Sequence, residues 1–272
     1  MSNPTSSSST DPALSAKPWV PMPYGDFSRL DADTVLRNWS RLQAGQCLEP
    51  PEPGPLVAGW VLYHNGEFER AAAIGLDHGN AGLALANRAT AIYANYLEPS
   101  ESVRLALFKA VVDRTAAQMA EEPDNCQALY WHAYALGRYG QGISVARAHA
   151  QGLGEQIKRA LERVITLQPQ HADAHFALGT LHAEVIDKVG TLVARMTYGA
   201  RAETAIEYFE HALALQPDSL TGLMEYARAL PMLHGESSEA RARSMMERVA
   251  SSPAADARER LDIELARIAL TD

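Results

Sequence analysis

The stretch LERVITLQPQHADAHFALG, Leu161–Gly179, contains the end of one helix and the start of the next. Apolar residues recur at helical spacing up to Leu167, and Pro169 stops the helix because proline lacks the backbone N–H that a helix interior needs. A polar residue just after the proline, here His171, can cap the helix that follows. Similar proline junctions occur at Pro123, Pro217 and Pro253, giving successive separations of 46, 48 and 36 residues. Such a recurrence predicts stacked helical hairpins, an α-solenoid.

The composition of the chain is typical of a helical globular protein. Of its 272 residues, 47% are hydrophobic and 21% are charged, and alanine, leucine, glutamate and arginine favour helices. The net charge of −9, without a basic tract, argues against nucleic acid or an anionic membrane as the partner. No stretch approaches the roughly 18 consecutive apolar residues that cross a bilayer.

The sequence divides into four regions. Residues 1–28 are rich in serine and proline and are predicted to be a disordered leader, without the basic and apolar parts of a secretory signal. Residues 29–54 are predicted to form a helix and a proline-rich linker, residues 55–252 the helical repeats, and residues 253–272 a capping helix. The two cysteines, Cys47 and Cys126, have no disulfide or metal motif, which predicts reduced thiols in the cytoplasm.

One helix pair carries a known repeat pattern. The relevant positions are His175, Leu178, Gly179 and His182 in the first helix, then Ala205, Phe209 and Ala212 in the second, then Pro217. The small residues let two helices approach closely, and the large ones fill the space between them. This pattern resembles the tetratricopeptide repeat, W-x2-L-G-x2-Y, then A-x3-F, then P. The resemblance covers roughly residues 55–252 and implies an all-α solenoid of tetratricopeptide-like hairpins.

Two neighbouring units contain insertions relative to that repeat. They are GRYGQGISVARAHAQGLG, Gly137–Gly154, and HAEVIDKVGTLVARMTYG, His182–Gly199. In the second, apolar residues recur at spacings of three and four, at Val185, Ile186, Val189, Leu192, Val193 and Met196. This spacing predicts a packed segment that extends the first helix and returns as a short helix along the repeat face. The segment either fills the concave groove or lines a pocket there.

Polar residues on these two insertions form the candidate binding site. They are Arg138, Tyr139 and Gln141 in the first insertion and Glu184, Asp187, Lys188 and Tyr198 in the second. If the insertions lie side by side, these residues converge in an apolar concavity, as in most ligand sites. The alternative is that the charged residues only form an ion-pair network or a solvated face.

Metal binding and catalysis have little support in the sequence. His171, His175 and His182 fall on one helical stripe, which three zinc ligands would need. However, His175 and His182 occupy interhelix packing positions, so we expect hydrogen-bonded histidines and no metal. The chain contains no G-x-S-x-G, phosphate loop, dinucleotide fingerprint or H-E-x-x-H, which predicts a protein without enzymatic activity or cofactor.

Two functions follow from this architecture. The first is a cytoplasmic scaffold that binds a protein or peptide, because solenoids present extended concave surfaces. The alternative is a protein that binds a small ligand in a pocket built by the two insertions. The lengthened units, with YGQGISVARA at Tyr139–Ala148, resemble the soluble helical-repeat subunit of tripartite solute transporters and the related microtubule-dynamics regulator family.

Overall fold

The computed structural model describes residues 17–271, and this part of the chain is helical with no strand. The all-α class predicted from the sequence is therefore confirmed. The helices are α1 Ala32–Arg37, α2 Trp39–Leu42, α3 Pro55–His64, α4 Phe68–Asp77, α5 Gly79–Tyr96, α6 Glu101–Glu121, α7 Cys126–Gln141, α8 Val145–Ala150, α9 Leu153–Leu167, α10 Ala172–Val189, α11 Thr191–Val193, α12 Ala202–Leu215, α13 Leu220–His234, α14 Glu239–Ser251 and α15 Ala257–Thr271. A π-helical turn spans Ala194–Tyr198, and a 3₁₀ turn spans Gly235–Ser238. None of the described helices is long and apolar enough to span a membrane.

The helix boundaries follow the proline junctions that the sequence predicts. His171 caps α10 by accepting a hydrogen bond from the backbone N–H of Ala174 at 3.1 Å. Ser219 caps α13 by accepting a hydrogen bond of 3.1 Å from the backbone N–H of Gly222, and Asn125 caps α7 by accepting one from the backbone N–H of Ala128. Each cap satisfies a backbone N–H that has no partner inside its own helix.

Helices that are close in sequence pack against each other, and the two ends of the helical array also meet. The main sequential pairs are α4 with α5, α6 with α7, α7 with α9, α10 with α12, and α13 with α14. In addition, α15 contacts α3, and Nδ1 of buried His64 lies 2.7 Å from an oxygen of Asp256. Each unit of an open solenoid contacts only its neighbours, so this contact closes the array on itself.

Close helix packing depends on glycine, as the repeat pattern indicates. A Cβ at Gly179 would lie 2.8 Å from the ring of Phe209 on α12. Phe209 is fully buried and stacks on Tyr226 of α13 with ring centroids 4.6 Å apart. Gly179 thus lets α10 approach α12, and Phe209 joins that pair to α13.

The structure differs from the predicted disorder in residues 17–28. Trp19 is only 8% exposed and stacks on Tyr93 of α5, with ring centroids 4.1 Å apart. Asp26 lies 2.7 Å from Arg260 of α15. The buried ring of Trp19 and the ion pair of Asp26 therefore hold this segment on the helices. Residues 1–16 of the predicted leader lie outside the described residues, and residues 29–54 contain two short helices, α1 and α2, where one was expected.

Replacing Gly82 by alanine should destabilise the protein by about 2 kcal/mol, because overpacking a tight core contact costs roughly 1–3 kcal/mol. A Cβ at Gly82 would lie 2.0 Å from the carbonyl oxygen of Gly75, where α4 meets α5. Urea unfolding measures the effect. Gly137→Ala is the matched control, since nothing lies within 4 Å of its Cβ position, and it should stabilise α7 slightly. Equal stabilities of the two variants would contradict this account of the α4–α5 contact.

Candidate functional site

The candidate site is a cavity of about 450 Å³ between the two predicted insertions. Helices α7, α9 and α10 line it along its length. Residues of α8 and of the turn Ala194–Tyr198, where His149 is exposed, form the end that we call the mouth, and the less exposed residues of α13 and α15 form the end that we call the base. Both insertions line this cavity, so they do not simply fill the groove. A volume of this size is within the range of small-molecule sites.

Apolar side chains form most of the cavity wall. They are Tyr130, Ala133 and Tyr134 of α7, Val145 and Ala148 of α8, Leu153, Ile157 and Leu161 of α9, and Phe176, Ala177, Leu181, Val185 and Val189 of α10. These helices pack because each has an apolar stripe, and the stripe continues from the shared core into the cavity. A ligand in this space would bury apolar surface on three sides.

A buried ion pair lies beside this wall. An Nη of Arg138 on α7 lies 2.7 Å from a carboxylate oxygen of Glu225 on α13, and the side chains are only 18% and 12% exposed. Burial alone would raise the pKa of Glu225, but the Arg138 guanidinium outweighs it and holds that pKa below the ordinary value. Removing either partner would leave an uncompensated charge, so the pair fixes α7 against α13 at the cavity.

Two further predicted residues meet across the cavity. The side-chain amide of Gln141 donates a hydrogen bond of 2.5 Å to the carboxylate of Glu184 on α10. Burial raises the pKa of Glu184, and the Arg138 guanidinium partly offsets that rise. Lys188, one turn further along α10, lines the same cavity but is exposed. The two insertions are thus joined by polar contacts as well as by packing.

The mouth of the cavity is bridged by one side-chain contact. The hydroxyl of Tyr198, in the π-helical turn, lies 2.5 Å from Nδ1 of His149 on α8, and both residues line the cavity. Gly199, with a φ of 67°, adopts the left-handed conformation that ends this turn. The His149–Tyr198 pair therefore joins the ends of the two insertions above the cavity.

Two of the seven predicted site residues lie away from the cavity. Tyr139 is partly buried, packs on the main apolar core and does not line the cavity. Asp187 is exposed and does not line the cavity. The structure brings the other five together, namely Arg138, Gln141, Glu184, Lys188 and Tyr198.

Three residues of α13 and α15 that line the cavity were not predicted from the sequence. Glu225, Thr221 and Arg258 all line the cavity, but they come from segments outside the insertions. A signal was present for Glu225, because a single carboxylate in the apolar stretch LMEYARAL, Leu223–Leu230, needs a buried partner. Its partner, Arg138, could not be identified without the tertiary structure.

The predicted packing of the returning segment is wrong for three residues. Leu192, Val193 and Met196 are 71%, 47% and 78% exposed. Helical spacing of apolar residues identifies an apolar stripe, but it does not show that another part of the chain covers it. Val185, Ile186 and Val189 of the same insertion do pack, around buried Ala194 and Ala200.

The three histidines considered as zinc ligands each bind backbone atoms. His171 caps α10, Nε2 of His175 lies 3.1 Å from the carbonyl oxygen of Pro169, and Nδ1 of His182 accepts a hydrogen bond of 3.2 Å from the N–H of Arg201. Burial lowers the pKa of His171 to about 4, and lowers the pKa of the other two as well. Within residues 17–271, no group of three or more His, Cys, Asp or Glu residues is arranged to hold a metal.

Comparison with known proteins identifies one family. The family model described as regulator of microtubule dynamics protein 1-3 matches residues 65–268, three quarters of the chain and both insertions. No curated protein matches the sequence. The assignment to the tetratricopeptide family is therefore wrong, since the matching model is not a tetratricopeptide one. The match agrees with the second resemblance, to the microtubule-dynamics regulators.

Proposed function

The chain belongs to the regulator of microtubule dynamics protein 1-3 family, and we propose that it is a non-enzymatic regulator that binds a small amphipathic molecule in the cavity between its two insertions. The observation that carries this proposal is the cavity itself, which combines about 450 Å³ of space with an apolar wall and a few inward polar groups. We further propose that the helix pairs form a short curved solenoid, closed by the contact of α15 with α3.

The polar side chains of the cavity are hydrogen-bonded or ion-paired to one another, which supports a role in binding and not in catalysis. Arg138 is engaged by Glu225, Gln141 by Glu184, and Tyr198 by His149. Groups held in this way orient a ligand, whereas a general base or nucleophile needs to be directed at a reacting atom. The protein therefore acts by retaining a molecule, and we propose that it does so in the cytoplasm.

Thermal unfolding with a panel of amphipathic molecules tests this proposal. A molecule present at 100 times its dissociation constant should raise the free energy of unfolding by about 2.7 kcal/mol. Carboxylates, alcohols, amines and sugars with short alkyl chains form a suitable panel, because they share the apolar part and differ in the polar group. If no member of the panel stabilises the protein, the cavity is not a ligand site.

Replacing Tyr198 by phenylalanine should speed ligand release about fivefold, because one hydrogen bond contributes about 1 kcal/mol. The change removes the hydroxyl that contacts His149 at the mouth and leaves the ring in place. Stopped-flow release of a bound fluorophore measures the rate. Tyr208→Phe is the control. Tyr208 is on α12, where it packs against His175 and His182 of α10, and it does not line the cavity. Equal release rates for the two variants would argue against a closed mouth.

A second function, the binding of a protein partner, is favoured by the exposed apolar residues Leu192, Val193 and Met196. Clusters of exposed apolar side chains often mark interaction surfaces. This segment continues into Thr197 and Tyr198, which line the cavity, so a ligand there would contact the same turn that carries the surface assigned to the partner. The family description suggests a partner in the microtubule system. We therefore propose that the occupied cavity presents this segment to such a partner.

Microtubule assembly from purified tubulin, followed by turbidity, tests this second function. The wild-type protein should change the rate of assembly, and the double variant Leu192→Glu/Met196→Glu should lose that effect while it still binds ligand. Both side chains are more than two-thirds exposed, so the substitutions should leave the fold intact. Identical assembly curves with and without wild-type protein would contradict the role in microtubule dynamics.

A further inference from the structure

The base of the cavity contains an arginine without a partner. Arg258 of α15 lines the cavity together with Tyr130, Tyr134, Asp173 and Thr221. Its Nε is fully buried and donates no hydrogen bond, and among residues 17–271 the side chain forms no ion pair. A buried N–H without an acceptor is costly, because the guanidinium keeps its charge at every physiological pH.

The nearest carboxylates do not neutralise Arg258 directly, because other donors occupy them. Asp262 accepts hydrogen bonds from the hydroxyls of Tyr96 and Thr221, each at 2.5 Å. Asp173 accepts a hydrogen bond of 3.0 Å from the side-chain amide of Gln46. The guanidinium thus has acidic residues nearby but no acceptor in contact with it.

The electrostatic setting keeps Arg258 charged. Burial lowers its pKa, but the carboxylates of Asp262 and Asp173 outweigh burial and raise the pKa well above its ordinary value. The other buried arginine of the cavity, Arg138, is already paired with Glu225. One cation at the base is therefore available for a ligand.

From this arrangement we infer that the ligand is an amphiphile with a single carboxylate, which binds Arg258 at the base of the cavity while its apolar chain lies along α9 and α10 toward the mouth. The inference rests on the proposed function and specifies its ligand. A guanidinium presents parallel N–H groups that match the two oxygens of a carboxylate. The apolar side chains between base and mouth, such as Ile157, Leu161 and Leu181, provide the surface for the chain.

The acidic residues around the cavity favour one negative charge over two. Asp173, Glu184 and Glu225 all line the cavity, and only Glu225 is paired with a cation. A phosphate monoester would bring a second negative charge close to these groups without a second unpaired buried cation to meet it. We therefore expect a carboxylate to bind more tightly than a phosphate monoester with the same chain.

Water is the competing explanation for the unpaired arginine. A second cavity of about 40 Å³ also touches Arg258, and it is lined by Gln216, whose Oε1 has no hydrogen-bond partner either. A bound water between these two groups would satisfy both. In that case Arg258 would not distinguish an acid from an alcohol.

Competition with a bound neutral fluorophore separates these explanations in the wild-type protein. Nile red is bound first, and dodecanoate, dodecanol and dodecyl phosphate are then titrated against it at neutral pH. Dodecanoate should bind at least tenfold more tightly than dodecanol and more tightly than dodecyl phosphate. Equal affinities for acid and alcohol would overturn the inference but keep the proposed function. A phosphate that binds more tightly than the acid would also overturn it. If neither Nile red nor any of the three compounds binds, the proposed function itself fails.

Variants of Arg258 then assign the preference to this side chain. Arg258→Met should bring the affinity for dodecanoate down to that for dodecanol and leave dodecanol binding unchanged, whereas Arg258→Lys should keep part of the preference. Arg267→Met is the matched control, because Arg267 is on the same helix but is half exposed and paired with Glu264. If Arg258→Met fails to fold, the Arg258→Lys ratio and the wild-type series still decide the question. An acid preference that survives in both Arg258 variants would contradict the assignment.

Discussion

Replacing Arg138 by methionine is expected to lower the free energy of unfolding by about 3 kcal/mol, because it leaves the buried carboxylate of Glu225 without its cation. The two groups are 2.7 Å apart and both are more than four-fifths buried. Methionine keeps most of the apolar volume of the arginine stem, so the loss of stability measures the removal of the charge and not a packing defect. Urea unfolding at neutral pH measures the difference.

The double variant Arg138→Met/Glu225→Leu distinguishes the ion pair from a packing defect. It removes both charges together, and should recover most of the lost stability. Lys109→Met is the matched control, since Lys109 and Asp113 form an exposed ion pair on α6 that contributes at most about 1 kcal/mol. If Arg138→Met is no less stable than Lys109→Met, the Arg138–Glu225 pair does not hold the cavity wall in place.

The same pair gives the stability a defined pH dependence. Since Arg138 holds the pKa of Glu225 below its ordinary value of 4.5, the pair stabilises the folded state above that pH. The contribution is lost as the pH falls through the lowered pKa of the folded state. In Arg138→Met the burial of Glu225 is no longer offset by Arg138 and raises its pKa, so the stability difference between wild type and variant should be largest near neutral pH and should shrink as the pH falls through that raised pKa toward the lowered pKa of the wild type.

Replacing Ala177 by phenylalanine is expected to abolish ligand-induced stabilisation, a loss of about 2.7 kcal/mol at 100 times the dissociation constant. Ala177 is on α10, is only partly exposed and lines the cavity, so a phenyl ring there would occupy the space of the ligand. The protein itself should remain folded, because the ring enters existing space and displaces no side chain of the close-packed core.

Ala116→Phe provides the control for this experiment. Ala116 is exposed on α6, which does not line the cavity, so this variant should keep the full ligand response. Thermal unfolding with and without the most stabilising ligand measures the ligand-induced stabilisation of each variant. A normal ligand response in Ala177→Phe would place the binding site elsewhere on the protein.

Local features of the fold could be predicted from the sequence. The proline junctions locate the starts of α10 and α13 because a cap such as His171 or Ser219 acts within a few residues of its helix. The convergence of the two insertions on one cavity could also be predicted, with five of their seven polar residues, since all of these lie in two short segments, and their role in binding stays a prediction. The tetratricopeptide assignment was wrong, because the repeat pattern around Gly179 reports close helix packing, which unrelated helical families share.

The rest depends on contacts between distant parts of the chain. Arg258 reaches the cavity because α15 packs against α13 and α14 and also contacts α3, and no pattern near residue 258 indicates these contacts. Trp19 belongs to a serine- and proline-rich stretch and is held in place by stacking on Tyr93 and by a hydrogen bond from its backbone N–H to Glu69, both distant in the sequence. Leu192 and Met196 were predicted to pack but are exposed, because an apolar stripe in the sequence does not reveal whether another part of the chain covers it.

Native mass spectrometry of the full chain, mixed with small-molecule extract from the cells that produce it, tests whether the cavity binds a ligand. We expect a non-covalent adduct on the wild-type protein and on Ala116→Phe that disappears on denaturation and is absent from Ala177→Phe. The same bare mass for all three proteins, or an adduct that Ala177→Phe retains, would contradict a ligand site in the cavity.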